Sequence, residues 1–153
     1  MGNEGRAQST ARKGEIKLSA EEYLERIKKL DEMISNRRDD YQRRFGRACE
    51  LGGFSESERV RASKDPRKNQ KEIAEYIDIE REIWELEAER SEIIRTIERL
   101  PCEEYKIIYR LYVQGIALKA IACQLDMSYS WVKKKKKDAL RHVQRMLDEK
   151  RER

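Results

Sequence analysis

The sequence has few of the residues that build metal centres, disulfide frameworks or nucleophilic active sites. It contains one histidine (His142) and three cysteines (Cys49, Cys102 and Cys123), and the cysteines form no Cys-x-x-Cys pair. An odd cysteine count argues against a disulfide framework, and a single histidine argues against structural zinc. No glycine-rich phosphate loop is present, and the many carboxylates are spaced as on solvated helix faces. We therefore expect no metal, no cofactor and no enzymatic activity.

The sequence also lacks an apolar run of the length that a signal peptide or a membrane span requires. We therefore expect a cytoplasmic protein in a reducing compartment, without a membrane partner.

Prolines and glycines are scarce, at two and seven, and no useful stretch alternates as a β-strand would. Charged residues make up 42% of the chain, a composition typical of long exposed helices, so an all-α fold is predicted. The charge is unevenly distributed: residues 71–100 hold ten Asp and Glu against five Lys and Arg, whereas residues 101–153 hold seven against thirteen. A basic C-terminal third favours association with a polyphosphate through counterion release.

The first two thirds of the chain predict a disordered tail (1–18) followed by a long antiparallel, coiled-coil-like helical hairpin (19–100). Ser19 and Glu22 have the spacing of a capping box, which marks the start of the first helix (19–51). Turn-like composition predicts a loop at 52–67, and a second helix at 68–100 follows. Both helices carry apolar residues at heptad spacing.

The second helix has more apolar residues than one partner helix can cover, because Ile73, Ile77, Trp84 and Ile94 lie beside its heptad seam. Two alternatives remain open: this excess packs on the C-terminal domain, or it packs on another copy of the chain. The thinness of an isolated hairpin favours a homo-oligomer, dimer or higher, formed through helices 19–51 and 68–100.

Residues 101–149 predict a compact C-terminal domain, with helices at 102–113, 117–124 and 129–149 and a frayed tail at 150–153. The last two helices have the layout of a helix-turn-helix. Ala122 is small enough for a close helix crossing, Asp126 tolerates a left-handed turn, and Ser128 can cap the final helix. Four apolar residues are expected to hold the two helices together: Ile121, Leu125, Met127 and Val132.

This C-terminal segment resembles region 4 of bacterial sigma-70-type factors. The residues that carry the resemblance are 100–112, 121–122, 125–128, 132 and 139–141. The whole layout, with the Tyr-Ile-Asp run at 76–78 in the second helix, resembles phage late-gene transcription regulators of the RinA/ArpU type. The resemblance implies a protein of phage or prophage origin that binds double-stranded DNA at a promoter, contacts host RNA polymerase and is associated with the bacterial nucleoid.

By the same resemblance, residues 129–147 form a recognition helix in the major groove. It implies base contacts by the residues that follow the N-cap of that helix, and the geometry of recognition helices agrees with it. Phosphate contacts are expected further along the helix and beside the turn. The expected base-contacting residues are Tyr129, Ser130, Lys133 and Lys134, and the expected phosphate-contacting residues are Lys137, Arg141, Lys119 and Ser128.

Other interpretations of the same features remain. The five lysines at 133–137 can form a solvated face, although their place after a complete helix-turn-helix favours contact with DNA. Lys135 occupies a position that is usually apolar, so its stem is expected to follow the interface, and Trp131 is expected to pack on neighbouring helices. The chain could instead be a sigma-like polymerase-binding module, a DNA-packaging subunit of the small-terminase kind, or a purely structural coiled coil.

Overall fold

The computed structural model describes residues 18–52 and 66–153, and this part of the chain is helical without β-strands. The described residues form five α-helices: α1 (Ala20–Gly52), α2 (Pro66–Glu98), α3 (Cys102–Ile108), α4 (Leu118–Leu125) and α5 (Tyr129–Glu152). A π-helical segment, Tyr109–Val113, extends α3. The prediction of an all-α fold is therefore confirmed. None of the described helices is both long enough and apolar enough to cross a bilayer.

The predicted capping box starts α1. The backbone N–H and the hydroxyl of Ser19 both donate to Glu22 Oε2 at 2.9 Å, and the Glu22 N–H donates to Ser19 Oγ at 3.3 Å. The backbone hydrogen bond from Ser19, aided by the hydroxyl, lowers the pKa of Glu22. The tail predicted at 1–18 lies outside the described residues except for Leu18, and the loop predicted at 52–67 lies outside them at 53–65.

Helices α1 and α2 lie side by side and antiparallel, because partners later in α1 match residues earlier in α2. Tyr23 Oη lies 3.3 Å from Thr96 Oγ1, Arg37 pairs with Glu82 at 2.7 Å, and Arg44 pairs with Glu75 at 2.7 Å. Exposed ion pairs of this kind contribute little each, so buried apolar contacts carry most of the stability. The fully buried side chains along this contact are Leu24, Ile27, Leu30, Ile93 and Ile97.

The C-terminal helices share that core. Ile108, Ala139 and Val143 are completely buried in the same apolar cluster as the first turns of α1 and the last turns of α2. The Ala20 N–H at the start of α1 also donates to Gln144 Oε1 of α5 at 2.9 Å. This packing fixes α5 against the end of the α1–α2 pair.

The tail predicted to fray at 150–153 is helical as far as Glu152, so that prediction is wrong. The helix continues beyond Met146 and Leu147, which pack against the shared core, and Lys150 forms an exposed ion pair with Glu92 of α2.

Candidate nucleic-acid interface

A tight turn joins α4 to α5 and has the geometry that the sequence predicts. Asp126 adopts the left-handed conformation (φ 54°, ψ 43°), and the Met127 N–H donates to the Ala122 carbonyl at 3.0 Å. Ser128 then caps α5, since its hydroxyl accepts from the Trp131 N–H at 3.2 Å. Asp126 is the only non-glycine residue with positive φ in the described chain, where its short polar side chain keeps the strain small.

A small apolar cluster beneath the turn sets the position of α5 relative to α4. Ile107, Ile121 and Val132 are completely buried there, and Ala122 is 5% exposed. The partly buried residues around them are Leu111, Ile116, Leu118, Leu125 and Trp131. The packing predicted for Ile121, Leu125, Val132 and Trp131 is thereby confirmed.

The packing role predicted for Met127 is wrong, because its side chain is 46% exposed. Met127 lies in the connector after the left-handed residue, where its backbone closes the cap and its side chain is left outside. Ile107, from the neighbouring α3, helps to fill the cluster instead.

One side of α5, which we call the outer face, is exposed and cationic. Helical geometry places its members within an arc of about 160°. Its residues are Tyr129, Ser130, Lys133, Lys134, Lys137, Arg141 and Arg145, all of which are exposed. Between Tyr129 and Arg145 no exposed residue of α5 is acidic. Asp138, at the edge of this arc, is partly buried and lies 3.6 Å from Arg141.

Two lysines of the 133–137 run lie outside this face and are paired with carboxylates, Lys135 opposite its centre and Lys136 just beyond its Tyr129 edge. Lys135 Nζ is 3.1 Å from Glu103 of α3 and 5.5 Å from the centre of the Trp131 ring. The hydrogen bond to Glu103 raises the pKa of Lys135, so this side chain stays charged. Lys136 Nζ is 3.0 Å from Glu21 in the first turn of α1. Both charges therefore serve to attach α5 to its neighbours.

Near the turn, Lys133 Nζ lies 5.4 Å from the centre of the Tyr129 ring, within the range of a cation–π contact. Tyr129 is 42% exposed and Lys133 is exposed, so both side chains stay accessible at the start of the outer face.

The other two predicted contact residues flank the turn. Lys119 is exposed in the first turn of α4, and Ser128 is exposed immediately before α5. The hydroxyl of Ser128 already accepts the capping hydrogen bond, and an O–H can still donate outward. The structure thus exposes all eight predicted contact residues, six of them on the outer face of α5.

Three features of this region were not predicted from the sequence. Arg145 belongs to the outer face, and its spacing of four residues from Arg141 could have revealed it. Glu104 is a buried carboxylate, 5% exposed, whose Oε2 lies 2.6 Å from His142 Nδ1 and links α3 to α5. Glu21 is the partner of Lys136, and since it lies 115 positions away no local pattern could indicate it.

The described residues contain no group of three His, Cys, Asp or Glu side chains placed to hold a metal ion. Comparisons with protein-family models, with curated proteins and with solved structures found no match to this chain. The functional assignment therefore depends on the geometry of the candidate interface and on the sequence resemblance.

Proposed function

We propose that this protein is a sequence-specific duplex DNA-binding protein whose helix α5 enters the major groove with its outer face towards the bases. The observation that carries the proposal is the sorting of charge around α5. Five cations (Lys133, Lys134, Lys137, Arg141 and Arg145) are exposed on one side without an exposed acid among them. The two remaining cations of the run lie outside this face and are paired with carboxylates of α3 and α1.

The left-handed turn and the compact apolar cluster support the proposal, since α4 and α5 together form a helix-turn-helix. In this motif the first turns of the second helix reach base edges while later residues contact the backbone. Tyr129, Ser130, Lys133 and Lys134 lie in those first turns and are assigned to the bases. Lysine can donate to the guanine acceptors of the major groove.

Phosphate contacts are assigned to Lys137 and Arg141 further along α5, and to Lys119 and Ser128 beside the turn. Such contacts set affinity and orientation, with little sequence information of their own. The resemblance to sigma region 4 and to RinA/ArpU-type regulators extends the proposal to transcriptional control of phage or prophage genes at a promoter.

The experiment is selection of binding sites from a random duplex library, followed by footprinting on the surrounding genome. We expect the wild-type chain to select one short motif and to protect it upstream of a gene. Lys133→Ala/Lys134→Ala should lose the motif preference, because it removes two of the assigned base contacts.

The matched control is Lys135→Ala/Lys136→Ala, which removes the same charge from the same run but from the inner side. It should select the same motif as the wild type. If both double variants stay folded and lose the preference for the DNA motif to the same extent, the lysines contribute only net charge. That result would refute the assignment of α5 as the base-contacting helix.

Two further outcomes would redirect the function while leaving the interface in place. Co-purification with RNA polymerase in nuclease-treated extracts, without a selected motif, would identify a polymerase-binding module. A ring-sized oligomer with a footprint at a packaging site would identify a DNA-packaging subunit.

A further inference from the structure

Helix α2 carries an uncovered apolar stripe on the side away from α1. Trp84 is 74% exposed, Ile73 is 57% exposed and Ile77 is 51% exposed, and Ala88 is exposed beside them. We call these four residues the Trp84 stripe. Helical geometry places them within an arc of about 60°, so they form one surface.

The C-terminal domain does not cover Ile73, Ile77 or Trp84, so packing on that domain is wrong for these three residues, whereas Ile94 lies off the stripe and is partly buried. The C-terminal helices contact α2 beyond it, where Lys150 pairs with Glu92 and Ile97 lies in the shared core. An exposed tryptophan within a continuous apolar surface is characteristic of an interaction site.

We infer that the Trp84 stripe binds a second copy of the same chain, with the two α2 helices parallel and in register about a twofold axis. The spacing of the stripe supports helix-to-helix pairing. Successive members of the stripe are separated by four, seven and four residues. Ile73 is therefore eleven residues before Trp84, and Ile77 is eleven residues before Ala88. An eleven-residue repeat keeps a stripe almost straight along a helix, with a slight right-handed drift.

The flanking charges identify the partner and its direction. Glu80 and Arg81 lie on opposite sides of the stripe, each about 50° from its centre. In a parallel twofold pair, the Glu80 side of each helix faces the Arg81 side of the other helix. Glu80 therefore meets Arg81 of the second copy, and the contact forms twice. In an antiparallel pair each flank would face itself, which would place Glu80 against Glu80.

Both side chains are accessible for this contact. Arg81 is 65% exposed and only loosely paired, at 3.7 Å, with Asp78 on its own helix. Glu80 is exposed and accepts a hydrogen bond from the Tyr41 hydroxyl at 3.1 Å through one carboxylate oxygen. The second carboxylate oxygen retains acceptor sites for the guanidinium.

A parallel pair would bring both C-terminal units to the same end of the assembly. The association itself is independent of the proposed function, but this consequence depends on it: two DNA-binding surfaces would lie side by side. A dimeric arrangement of that kind matches operators with two half-sites.

The first test is the mass of the full chain in solution by sedimentation equilibrium, without DNA. We expect twice the 18.3 kDa chain mass. Trp84→Glu and Ile77→Glu should raise the dimer dissociation constant by roughly thirtyfold or more, as loss of a central apolar anchor does. Met33→Glu is the matched control, because Met33 on α1 is 50% exposed, nearly the same as Ile77, yet lies off the stripe. It should remain a dimer.

The second test addresses direction and partner identity. Glu80→Arg and Arg81→Glu should each weaken the dimer, and the two together should restore it, since the charges are then exchanged on both copies. In a chain with its three cysteines replaced by serine, Ile77→Cys should form an intermolecular disulfide, because in-register pairing places position 77 opposite itself.

A monomer throughout the micromolar range would overturn the proposal. If Trp84 fluorescence in a Trp131→Phe chain also resists acrylamide quenching, the stripe is covered by another segment of its own chain. A dimer that survives Trp84→Glu, or one that forms no disulfide at position 77, would also refute it. Because none of these measurements uses DNA, their failure is separate from failure of the proposed function.

Discussion

The two sides of α5 use the same residue type for opposite purposes. On the outer face, Lys133, Lys134 and Lys137 project into solvent, whereas Lys135 and Lys136 point towards carboxylates on α3 and α1. A run of five identical residues is thereby divided by the helical period into three available charges and two structural ones. Charge count alone therefore overstates the surface available to a polyanion.

The largest expected effect tests the outer side. Under the proposed function, the triple variant Lys133→Ala/Lys134→Ala/Lys137→Ala should weaken duplex binding by roughly 10²-fold at physiological salt. This loss corresponds to about 0.9 kcal/mol of binding free energy for each lysine. The slope of log K against log salt should fall by about 0.9, because Lys137 is the one phosphate contact among the three. Fluorescence anisotropy titrations at several salt concentrations measure both quantities. An unchanged affinity would place these lysines away from the DNA, and an unchanged salt slope would place Lys137 away from the phosphates.

The second prediction concerns the apolar residue beside this run. Val132 is completely buried in the cluster that joins α4 to α5, so Val132→Ala should cost about 2 kcal/mol of unfolding free energy and lower Tm by roughly 4–8 °C. Its neighbour Lys133 is exposed, and Lys133→Ala should stay within about 0.5 kcal/mol of the wild type. Thermal and urea denaturation of the two variants provide the comparison. Equal losses of unfolding free energy in the two variants would mean that the buried and exposed positions of α5 are assigned wrongly.

The features that the sequence predicted correctly are those determined by neighbouring residues. The capping box at Ser19 and Glu22, the left-handed turn at Asp126 and the cap at Ser128 involve atoms within three to five positions. The exposure of the outer face follows from the 3.6-residue period once Val132 is assigned to the core.

The features that the sequence did not predict depend on contacts between distant helices. Lys136 pairs with Glu21, and Lys150 pairs with Glu92. Both pairs require knowledge of how α5 lies on α1 and α2. Met127 has the composition of a core residue, but the turn geometry at Asp126 leaves it outside. Local patterns predict the elements and their faces, whereas the partners of each face are set by the tertiary arrangement.

A smaller effect is expected on the inner side. The Lys136 side chain is 23% exposed and that of Glu21 is 51% exposed, so their ion pair is largely screened. A double-mutant cycle with Lys136→Ala and Glu21→Ala should give a coupling energy of about 0.5 kcal/mol in unfolding free energy. The cycle is needed because Glu21 also lies 3.4 Å from the Tyr112 hydroxyl, whose contribution cancels in the coupling term. A coupling of zero, with the single variants as stable as the wild type, would show that Lys136 is not structurally engaged.

The smallest effect is a gain, at the boundary between the two sides. Asp138 lies 3.6 Å from Arg141 at the edge of the outer face, and its side chain is 31% exposed. A carboxylate about 8 Å from a phosphate repels it by about 0.5 kcal/mol in water before salt screening, so Asp138→Asn should tighten DNA binding by about twofold at most. Glu149→Gln removes the same charge about 16 Å further along the helix, which is beyond the screening length at physiological salt, and should leave affinity unchanged. Because the pair separates a local effect from a change in net charge, equal gains in both variants would mean that only the total charge of the chain matters. A gain for Asp138→Asn alone would place the edge of the DNA contact between Asp138 and Arg141.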